Sequence, residues 1–203
     1  MIAVIDYKAG NLTSVVKALR YLGANDVVVT QSPDDVRRAG KVVLPGVGHF
    51  KATQLLHDLC LTKATREAVA KGTPFLGICV GLQWLYEGST EAQDTQGLAH
   101  FAGLCERFPA RFNGGQLKSP HVGWNSLESI RPDSRLLAGI ASGSFVYYTH
   151  SWRASVSAHS AATSDYGGPF TAAVERDNVM GVQFHPEKSA ETGLRVLKNF
   201  LEL

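Results

Sequence analysis

TPFLGICVGLQWLY, residues 73–86, is the stretch of sequence around which the fold is organised. Residues 75–78 form a short apolar run typical of a strand, and residues 82–86 are apolar with a helical spacing, so Cys79 falls at the turn between them. A glycine stands two residues away on each side of Cys79, and only such small neighbours let a chain turn this sharply. The pattern predicts a nucleophile elbow, in which the helix N-terminus favours the thiolate. The alternative is a buried structural cysteine, because free cysteines are among the most buried residues.

Length and composition favour one domain, residues 1–203, with a full core, since the chain has a net charge of +2 and 44% hydrophobic residues. Three cysteines, an odd number without metal-ligand spacing, predict neither a disulfide framework nor a metal site, and no cofactor is expected. Scattered charges argue against nucleic acid as a partner, and no apolar run approaches the length of a membrane span. Met1 leads directly into the apolar Ile2–Ile5 without a basic segment or cleavage site, so we expect a cytoplasmic protein.

Up to residue 89, strand and helix patterns alternate, which predicts right-handed crossovers and a parallel sheet. The loop Pro45-Gly46-Val47-Gly48 follows the third strand, and its glycines can leave backbone N–H groups directed at an anion. The predicted strands are Ile2–Ile5, Val27–Thr30, 42–44 and 75–78, and the predicted helices are 11–22, one that begins at Ser32 with Pro33 in its first turn, and most of 50–70.

Beyond Ser89 the pattern changes, because short apolar segments alternate with turn residues and no long helix intervenes. A final helix is predicted to begin near Ser189. The whole pattern predicts an α/β fold with an open, mixed, mostly parallel sheet flanked by helices and a smaller antiparallel sheet in the C-terminal half. The predicted C-terminal strands are 103–108, 122–127, 145–151, 171–176 and 179–184.

A cysteine nucleophile needs a base, and His185 is the most informative candidate. It ends a predicted strand, Pro186 fixes the exit of the chain, and Glu187 can direct its carboxylate to the imidazole if the segment stays extended. The sequence thus supplies the three parts of a catalytic triad: a nucleophile, Cys79, a base, His185, and an orienting carboxylate, Glu187. The alternative for His185 is a surface or capping histidine. Other histidines compete for the role of base, and His150 is the strongest rival among His49, His57, His100, His121, His150 and His159.

Three motifs in this order resemble the class I (triad-type) glutamine amidotransferases: Pro45-Gly46-Val47-Gly48, Gly77-Ile78-Cys79-Val80-Gly81-Leu82-Gln83 and His185-Pro186-Glu187. The resemblance covers nearly the whole chain and implies a flavodoxin-like α/β sheet. Within that superfamily, three further segments resemble the glutaminase subunit of imidazole glycerol phosphate synthase: Asp6-Tyr7 with Gly10-Asn11, residues 120–125 (PHVGWN), and Lys188-Ser189. The chain departs from the family pattern at Lys8, where glycine is common, at Ser119, where an aliphatic residue is usual, and at Trp152, where tyrosine is common.

The resemblance implies a glutaminase that needs no cofactor. Cys79 would attack the side-chain amide of glutamine to give a glutamyl thioester, and His185 would act as acid and then as base while Glu187 holds the imidazole. The oxyanion would lie between the N–H of Val80 and an N–H of the loop at residues 46–48, with Val47 and Gly48 as the candidate donors. The residues that match positions holding glutamine are Gly46, Gln83, Ser151 and Trp152. For Gln83 the alternative is an exposed helix residue.

A partner subunit is also expected, because a glutaminase fold accounts for all 203 residues and leaves none to use the ammonia. By resemblance the partner is the (βα)8-barrel cyclase subunit, bound as a heterodimer. The interface candidates are Asn11, Trp124, Tyr148 and Lys188.

Two other functions fit parts of the pattern. One is another thiol enzyme with the same triad, such as the glutaminase subunit of pyridoxal phosphate synthase, or a thiol hydrolase that acts on other amides; residues 120–125 argue against it. The other is a catalytically silent binding subunit, against which the intact Cys79, His185 and Glu187 argue.

Overall fold

The computed structural model describes residues 1–203, and its N-terminal half alternates strands and helices as the sequence predicts. Residues 50–70, predicted as mostly helical, are divided: a 3₁₀ segment covers Phe50–Thr53, and Cys60, at φ 59°, separates two helices. The elements of this half are β1 (Ile2–Ile5), α1 (Leu12–Tyr21), β2 (Val27–Thr30), α2 (Pro33–Arg38), β3 (Lys41–Gly46), α3 (Gln54–Asp58), α4 (Leu61–Ala70), β4 (Phe75–Cys79) and α5 (Val80–Trp84).

The C-terminal half consists mainly of strands and ends in one long helix. Its elements are β5 (Gly88–Ser89), β6 (Leu104–Arg107), β7 (Arg111–Phe112), β8 (Gly115–Gln116), β9 (His121–Ser126), β10 (Phe145–His150), β11 (Trp152–Arg153), β12 (Ser160–Asp165), β13 (Pro169–Arg176), β14 (Val179–Val182), a 3₁₀ turn at Pro186–Lys188, and α6 (Ala190–Leu201). The sequence predictions missed β12, because its residues, SAATSD, are small or polar and lack the β-branched and aromatic pattern of a strand.

The main sheet has seven strands in the order β12-β13-β14-β4-β3-β1-β2. Strands β14, β4, β3, β1 and β2 are mutually parallel, whereas β13 is antiparallel to both of its neighbours. The predicted mixed, mostly parallel sheet is therefore confirmed. The smaller antiparallel part is a two-stranded ribbon of β9 and β10, accompanied by a sheet of β11, β6 and β5 and a hairpin of β7 and β8.

This topology brings the chemistry to one edge. Strand β4 is central, and β3 and β14 flank it with Gly46 opposite Cys79 and Val182 opposite Ile78. Because ligands of such sheets bind beyond the carboxyl ends of the parallel strands, the ends of β3, β4 and β14 define the place to search for a site. No helix has the length and apolarity needed to cross a bilayer.

Candidate active site

Cys79 occupies a sharp turn between β4 and α5. Its backbone lies at φ 56° and ψ −108°, a strained conformation for a residue with a side chain, and α5 begins at the next residue, Val80. The flanking glycines permit the turn: a Cβ at Gly77 would overlap the carbonyl of Gly81, and a Cβ at Gly81 would overlap the carbonyl oxygen of Leu44. The predicted strand–turn–helix geometry is confirmed, although the helix begins two residues earlier than residue 82.

The Cys79 thiol lies at the base of a pocket of about 260 Å³ and is 3% exposed. Its Sγ is 4.0 Å from the carbonyl oxygen of Thr149, to which the thiol can donate, and 3.7 Å from Nε2 of Gln183, which donates to the sulfur. The pocket is lined by Val47, Gly48, Cys79, Val80, Gln83, Glu91, Pro120, Thr149, His150, Ser151 and Trp152.

His185 and Glu187 form a buried pair beyond the end of β14. Nδ1 of His185 is 2.9 Å from Oε1 of Glu187, and each side chain is only 1% exposed. Since a carboxylate only accepts, Nδ1 carries the proton and Nε2 is the nitrogen available for chemistry. Nε2 is buried without a hydrogen-bond partner. Burial lowers the pKa of His185, but the charges of Cys79 and Glu187 outweigh burial and raise the pKa to about 10.

The backbone around His185 is fixed by its neighbours. The His185 N–H donates to the carbonyl of Tyr147 at 2.9 Å, and Oγ of Ser189 donates to the carbonyl of His185 at 2.6 Å. The Ser189 hydroxyl also accepts the N–H of Tyr147 at 2.9 Å. The backbone of His185 is therefore tied both to β10 and to the start of α6.

His150, the strongest rival for the role of base, lines the pocket but has no free nitrogen. Its Nδ1 donates to the carbonyl of Trp152 at 2.9 Å, and its Nε2 accepts from Nδ1 of His121 at 3.0 Å. Burial lowers the pKa of His150 to about 3 and that of His121 to about 4, so both rings stay neutral. The structure thus assigns His150 to the pocket wall.

The predicted oxyanion donors do not all face Cys79. Val80 is the first residue of α5, so its N–H has no acceptor within the helix. The N–H of Val47 instead donates to the carbonyl of Ala9 at 3.4 Å. In this conformation the Val47 N–H is not available to an oxyanion, contrary to the sequence prediction, because the peptide is turned towards Ala9. Gly48, at φ 94°, is exposed and has open space around its α-carbon.

The predicted glutamine-binding residues are divided between the pocket and the core. Gln83, Ser151 and Trp152 line the pocket. Gln83 is 2% exposed, so it is not the exposed helix residue of the alternative interpretation. Gly46 does not line the pocket and is buried, because a Cβ there would overlap the Tyr7 hydroxyl. The sequence prediction of a direct substrate contact at Gly46 is not seen in this conformation.

The sequence predictions missed two residues of the site, Gln183 and Glu91. Gln183 is two residues before His185, and the alternation of strand side chains could have found it on the same face. Glu91 is the only carboxylate that lines the pocket. It follows β5 in a loop, where no motif marks it, and its Oε2 accepts the N–H of Phe50 at 2.7 Å.

The ribbon of β9 and β10 exposes one apolar face, which we call the ribbon face: Val122, Trp124, Phe145 and Tyr147. Trp124 is 53% exposed and lies opposite Tyr147. Tyr148 points to the other side, is completely buried and shares a hydrogen bond of 2.7 Å with Ser164. The prediction that Tyr148 contacts a partner is wrong, because strand alternation places it in the core. Lys188 is exposed, and Asn11 is half-buried at the start of α1.

The three departures from the family pattern have local explanations. Lys8 is exposed at φ 62°, a backbone region that explains why glycine is common there. Oγ of Ser119 donates to Oγ of Ser151 at 3.1 Å at the pocket rim. Trp152 supports the pocket through its carbonyl, which accepts from Gln83 and His150, so a change of its side chain leaves these contacts in place.

No group of three or more His, Cys, Asp or Glu side chains is arranged to hold a metal ion.

Comparisons with known proteins agree with this geometry. The family model described as glutamine amidotransferase class-I matches residues 3–203. The imidazole glycerol phosphate synthase subunit HisH of Syntrophotalea carbinolica is 47% identical over 206 residues, covering 98% of this chain and 98% of that protein. The subunit of the same name from Caldanaerobacter subterraneus subsp. tengcongensis is 42% identical over 206 residues, covering 100% of this chain and 98% of that protein.

Solved structures share the fold at low identity. A crystal structure of a glutamine amidotransferase has a TM-score of 0.75 and 17% identity, covering 100% of this chain and 98% of that chain. The glutaminase domain of Trypanosoma brucei CTPS with bound acivicin has a TM-score of 0.70 and 15% identity, covering 99% of this chain and 93% of that chain.

Proposed function

The chain belongs to the class-I glutamine amidotransferase family, and on that premise we propose that it is the glutaminase subunit of an imidazole glycerol phosphate synthase. The observation that carries the proposal is the arrangement of Cys79 on a strained elbow beside a buried His185–Glu187 pair, at the base of a pocket. The relatives that match at full length carry the name of that synthase subunit, which favours it over other amidotransferases.

The reaction begins with attack of the Cys79 thiolate on the side-chain amide carbon of glutamine. The carbonyl π electrons move to oxygen and form a tetrahedral oxyanion, which the N–H of Val80 and one N–H of the loop at residues 46–48 stabilise. Nε2 of protonated His185 gives its proton to the departing nitrogen, so ammonia leaves and a glutamyl thioester remains. His185, now neutral, accepts a proton from water as that water attacks the thioester, which releases glutamate and restores the thiolate and imidazolium.

Glu187 has an electrostatic and an orienting role. Its carboxylate accepts the Nδ1 proton at 2.9 Å, which fixes the tautomer with Nε2 towards the reaction and stabilises the imidazolium. With both side chains buried, this charge interaction is screened very little by solvent.

Substrate recognition follows from the charges and carbonyls of the pocket wall. Glu91 supplies the only anionic side chain in the lining and is suited to the α-ammonium group of glutamine. Ser151 and Trp152 also line the pocket, and Gln83 holds this part of the wall by donating to the Trp152 carbonyl at 2.9 Å. Together these groups place the side-chain amide of glutamine over Cys79.

The ribbon face is our proposed docking surface for the cyclase subunit, a (βα)8 barrel. Val122, Trp124 and Phe145 are each more than half exposed and lie on one side of the β9–β10 ribbon, the composition that protein interfaces favour. Lys188 adds a cation directly after the catalytic Glu187, and Asn11 lies at the start of α1. Ammonia passed across this surface would escape protonation by bulk water and reach the acceptor as a nucleophile.

The test is glutamate release from glutamine by this chain alone, with a cyclase subunit, and with that subunit plus its nucleotide ligand. We expect slow release by the chain alone and rapid release in the liganded complex, with Cys79→Ala inactive throughout. Activation only by the synthase subunit of pyridoxal phosphate synthase would favour that alternative. An absence of glutamate release in every condition would identify a silent binding subunit and overturn the proposal.

A further inference from the structure

Two buried amide side chains connect the Cys79 sulfur to Trp152 in the pocket wall. The chain of contacts runs from Sγ of Cys79 to Nε2 of Gln183 at 3.7 Å, from Oε1 of Gln183 to Nε2 of Gln83 at 3.2 Å, and from Nε2 of Gln83 to the carbonyl of Trp152 at 2.9 Å. Gln183 has no exposed surface and Gln83 is 2% exposed.

The direction of each hydrogen bond is determined by the group at the end of the chain. The Trp152 carbonyl can only accept, so the Gln83 atom that faces it is the NH₂ group. The same NH₂ group faces Gln183, which must therefore present its carbonyl oxygen to Gln83. This leaves the NH₂ group of Gln183 facing Sγ of Cys79, with its dipole oriented towards negative charge on the sulfur.

The two polar contacts of the sulfur favour different protonation states. The carbonyl of Thr149, at 4.0 Å, can accept from the thiol but repels a thiolate. Gln183 donates and therefore favours the thiolate. Gln183 donates a hydrogen bond to Sγ, whereas Nε2 of His185 has no hydrogen-bond partner in this geometry and favours the thiolate through its charge.

We propose that Gln183 is a further catalytic residue, which stabilises the Cys79 thiolate by hydrogen bonding, and that Gln83 is a positioning residue that orients the Gln183 amide. The inference rests on the proposed thioester chemistry. Gln183 holds the sulfur in its attacking state before the thioester forms and accommodates its negative charge again when the thioester is hydrolysed. Because Gln83 is itself held by the Trp152 carbonyl, the orientation of the Gln183 amide depends on the part of the pocket wall that we propose binds glutamine.

Alkylation of Cys79 by iodoacetamide tests this inference without glutamine or a partner subunit. The rate is followed against pH in the full chain by mass spectrometry of the Cys79 peptide, which separates it from Cys60 and Cys105. In Gln183→Met, which keeps length but cannot donate, the pH of half-maximal alkylation should rise by about one to two pH units, matching the usual strength of a hydrogen bond to a charged group. Gln183→Glu should raise it further, because an ionised carboxylate repels the thiolate, and Gln83→Met should raise it less.

The same variants should lose glutaminase activity through kcat. We expect kcat of Gln183→Met in the complex to fall by about 10- to 100-fold at neutral pH, with KM little changed. The ratio of wild-type kcat to variant kcat should become smaller as the pH rises, because the thiolate then forms without the hydrogen bond. Asn199→Leu is the matched control, because it removes another buried amide, which holds the carbonyls of Leu136 and Ala138 outside the pocket, and should lower Tm without moving the alkylation profile.

The outcomes separate this inference from the proposed function. A wild-type alkylation profile in both Gln183→Met and Gln183→Glu, whatever their Tm, would overturn the role of Gln183. If the alkylation profile of the Gln183 variants is displaced but the wild-type chain releases no glutamate, the role of Gln183 in stabilising the thiolate stands and the proposed glutaminase function is overturned.

Discussion

On one side of Cys79, His185 and Glu187 are buried and joined by a hydrogen bond of 2.9 Å; on the other, the loop at residues 46–48 turns the N–H of Val47 towards Ala9. The proton-transfer side is thus assembled in the single chain, whereas the oxyanion side is open and incompletely prepared. Loss of one oxyanion donor typically costs roughly 10²- to 10³-fold in rate, so one peptide rotation is enough to hold the site nearly inactive. From this difference we predict that activity is controlled by the backbone of the loop at residues 46–48 and not by the His185–Glu187 pair.

Gly48 allows the next peptide, Val47–Gly48, to rotate at low energetic cost. Its φ of 94° suits glycine, nothing lies within 4 Å of its hypothetical Cβ, and the residue is exposed. His185, by contrast, is held by backbone contacts to Tyr147 and Ser189. A partner that contacts the loop could therefore reorient a donor without disturbing the base.

Removal of the nucleophile is the largest expected effect. Cys79→Ala should lower glutamine-dependent synthesis in the complex by at least about 10⁴-fold, because both sides of the site act on the sulfur. Synthesis from added ammonium salt should remain near wild type, since that reaction bypasses this subunit. Cys60→Ala, at an exposed position, is the control, and glutamine-dependent turnover retained by Cys79→Ala would refute the triad.

Weakening the assembled side should give the next largest effect. Glu187→Gln keeps the shape of the side chain but removes the charge that stabilises the His185 imidazolium, so kcat should fall by roughly 10²- to 10⁴-fold. If kcat fell only severalfold, the carboxylate would not be the orienting group.

The same variant has a defined effect on stability against pH. The pKa of folded His185 is raised to about 10 from an ordinary value of 6.5, so its stabilising contribution is complete below pH 6.5 and is lost as the pH rises through about 10. The free energy of unfolding of wild type minus that of Glu187→Gln should therefore shrink as the pH increases from 7 to 10. Denaturant titrations at several pH values measure this difference, and a constant difference would contradict the assignment.

The ribbon face should matter for assembly more than for chemistry. Trp124→Ala should weaken binding to the cyclase subunit by at least about 10-fold, as expected for a central aromatic of an interface. Tyr21→Ala is the matched control, because Tyr21 is a 78% exposed aromatic at the C-terminal end of α1, away from the ribbon. Equal effects of the two substitutions would indicate that the ribbon face is not the docking surface.

Lys188→Ala should have the smallest effect, up to about fivefold in Kd, because exposed ion pairs contribute about 1 kcal/mol at most. Calorimetric titration with the cyclase subunit measures it, with ammonia transfer followed in parallel. An unchanged Kd together with unchanged coupling would identify Lys188 as an ordinary solvated lysine.

The sequence was sufficient for the parts of the site that depend on local backbone. Gly77 and Gly81 predicted the turn at Cys79 because only glycine permits the close approaches found there. The carboxylate of Glu187 lies beside His185 as predicted, but the segment reaches it through a 3₁₀ turn at Pro186–Lys188 and not in the extended conformation expected. The alternation of strands and helices predicted the parallel strands β1 to β4 of the main sheet for the same reason: each pattern is set by near neighbours.

The remaining features depend on contacts between distant segments. Gln183 contacts Cys79 across 104 positions of sequence, and Glu91 reaches the pocket from a loop without a motif. Tyr148 was misassigned because its side of the strand is set by the register of β10 on β9, in which it faces Gly123. The glycines on both sides of Val47 indicate a peptide that can rotate, but the direction of its N–H depends on one hydrogen bond to Ala9 and has no sequence signal.

The most direct test of the difference between the two sides of Cys79 compares two reactions of the same sulfur. Iodoacetamide alkylation of Cys79 requires the thiolate but no oxyanion donor, whereas glutamine hydrolysis requires both. On addition of the cyclase subunit and its nucleotide ligand, alkylation should change little while glutamate release rises by roughly 10²- to 10³-fold. A proportional rise in both rates, or full glutaminase activity in the chain alone, would contradict a preassembled base beside a resting oxyanion loop.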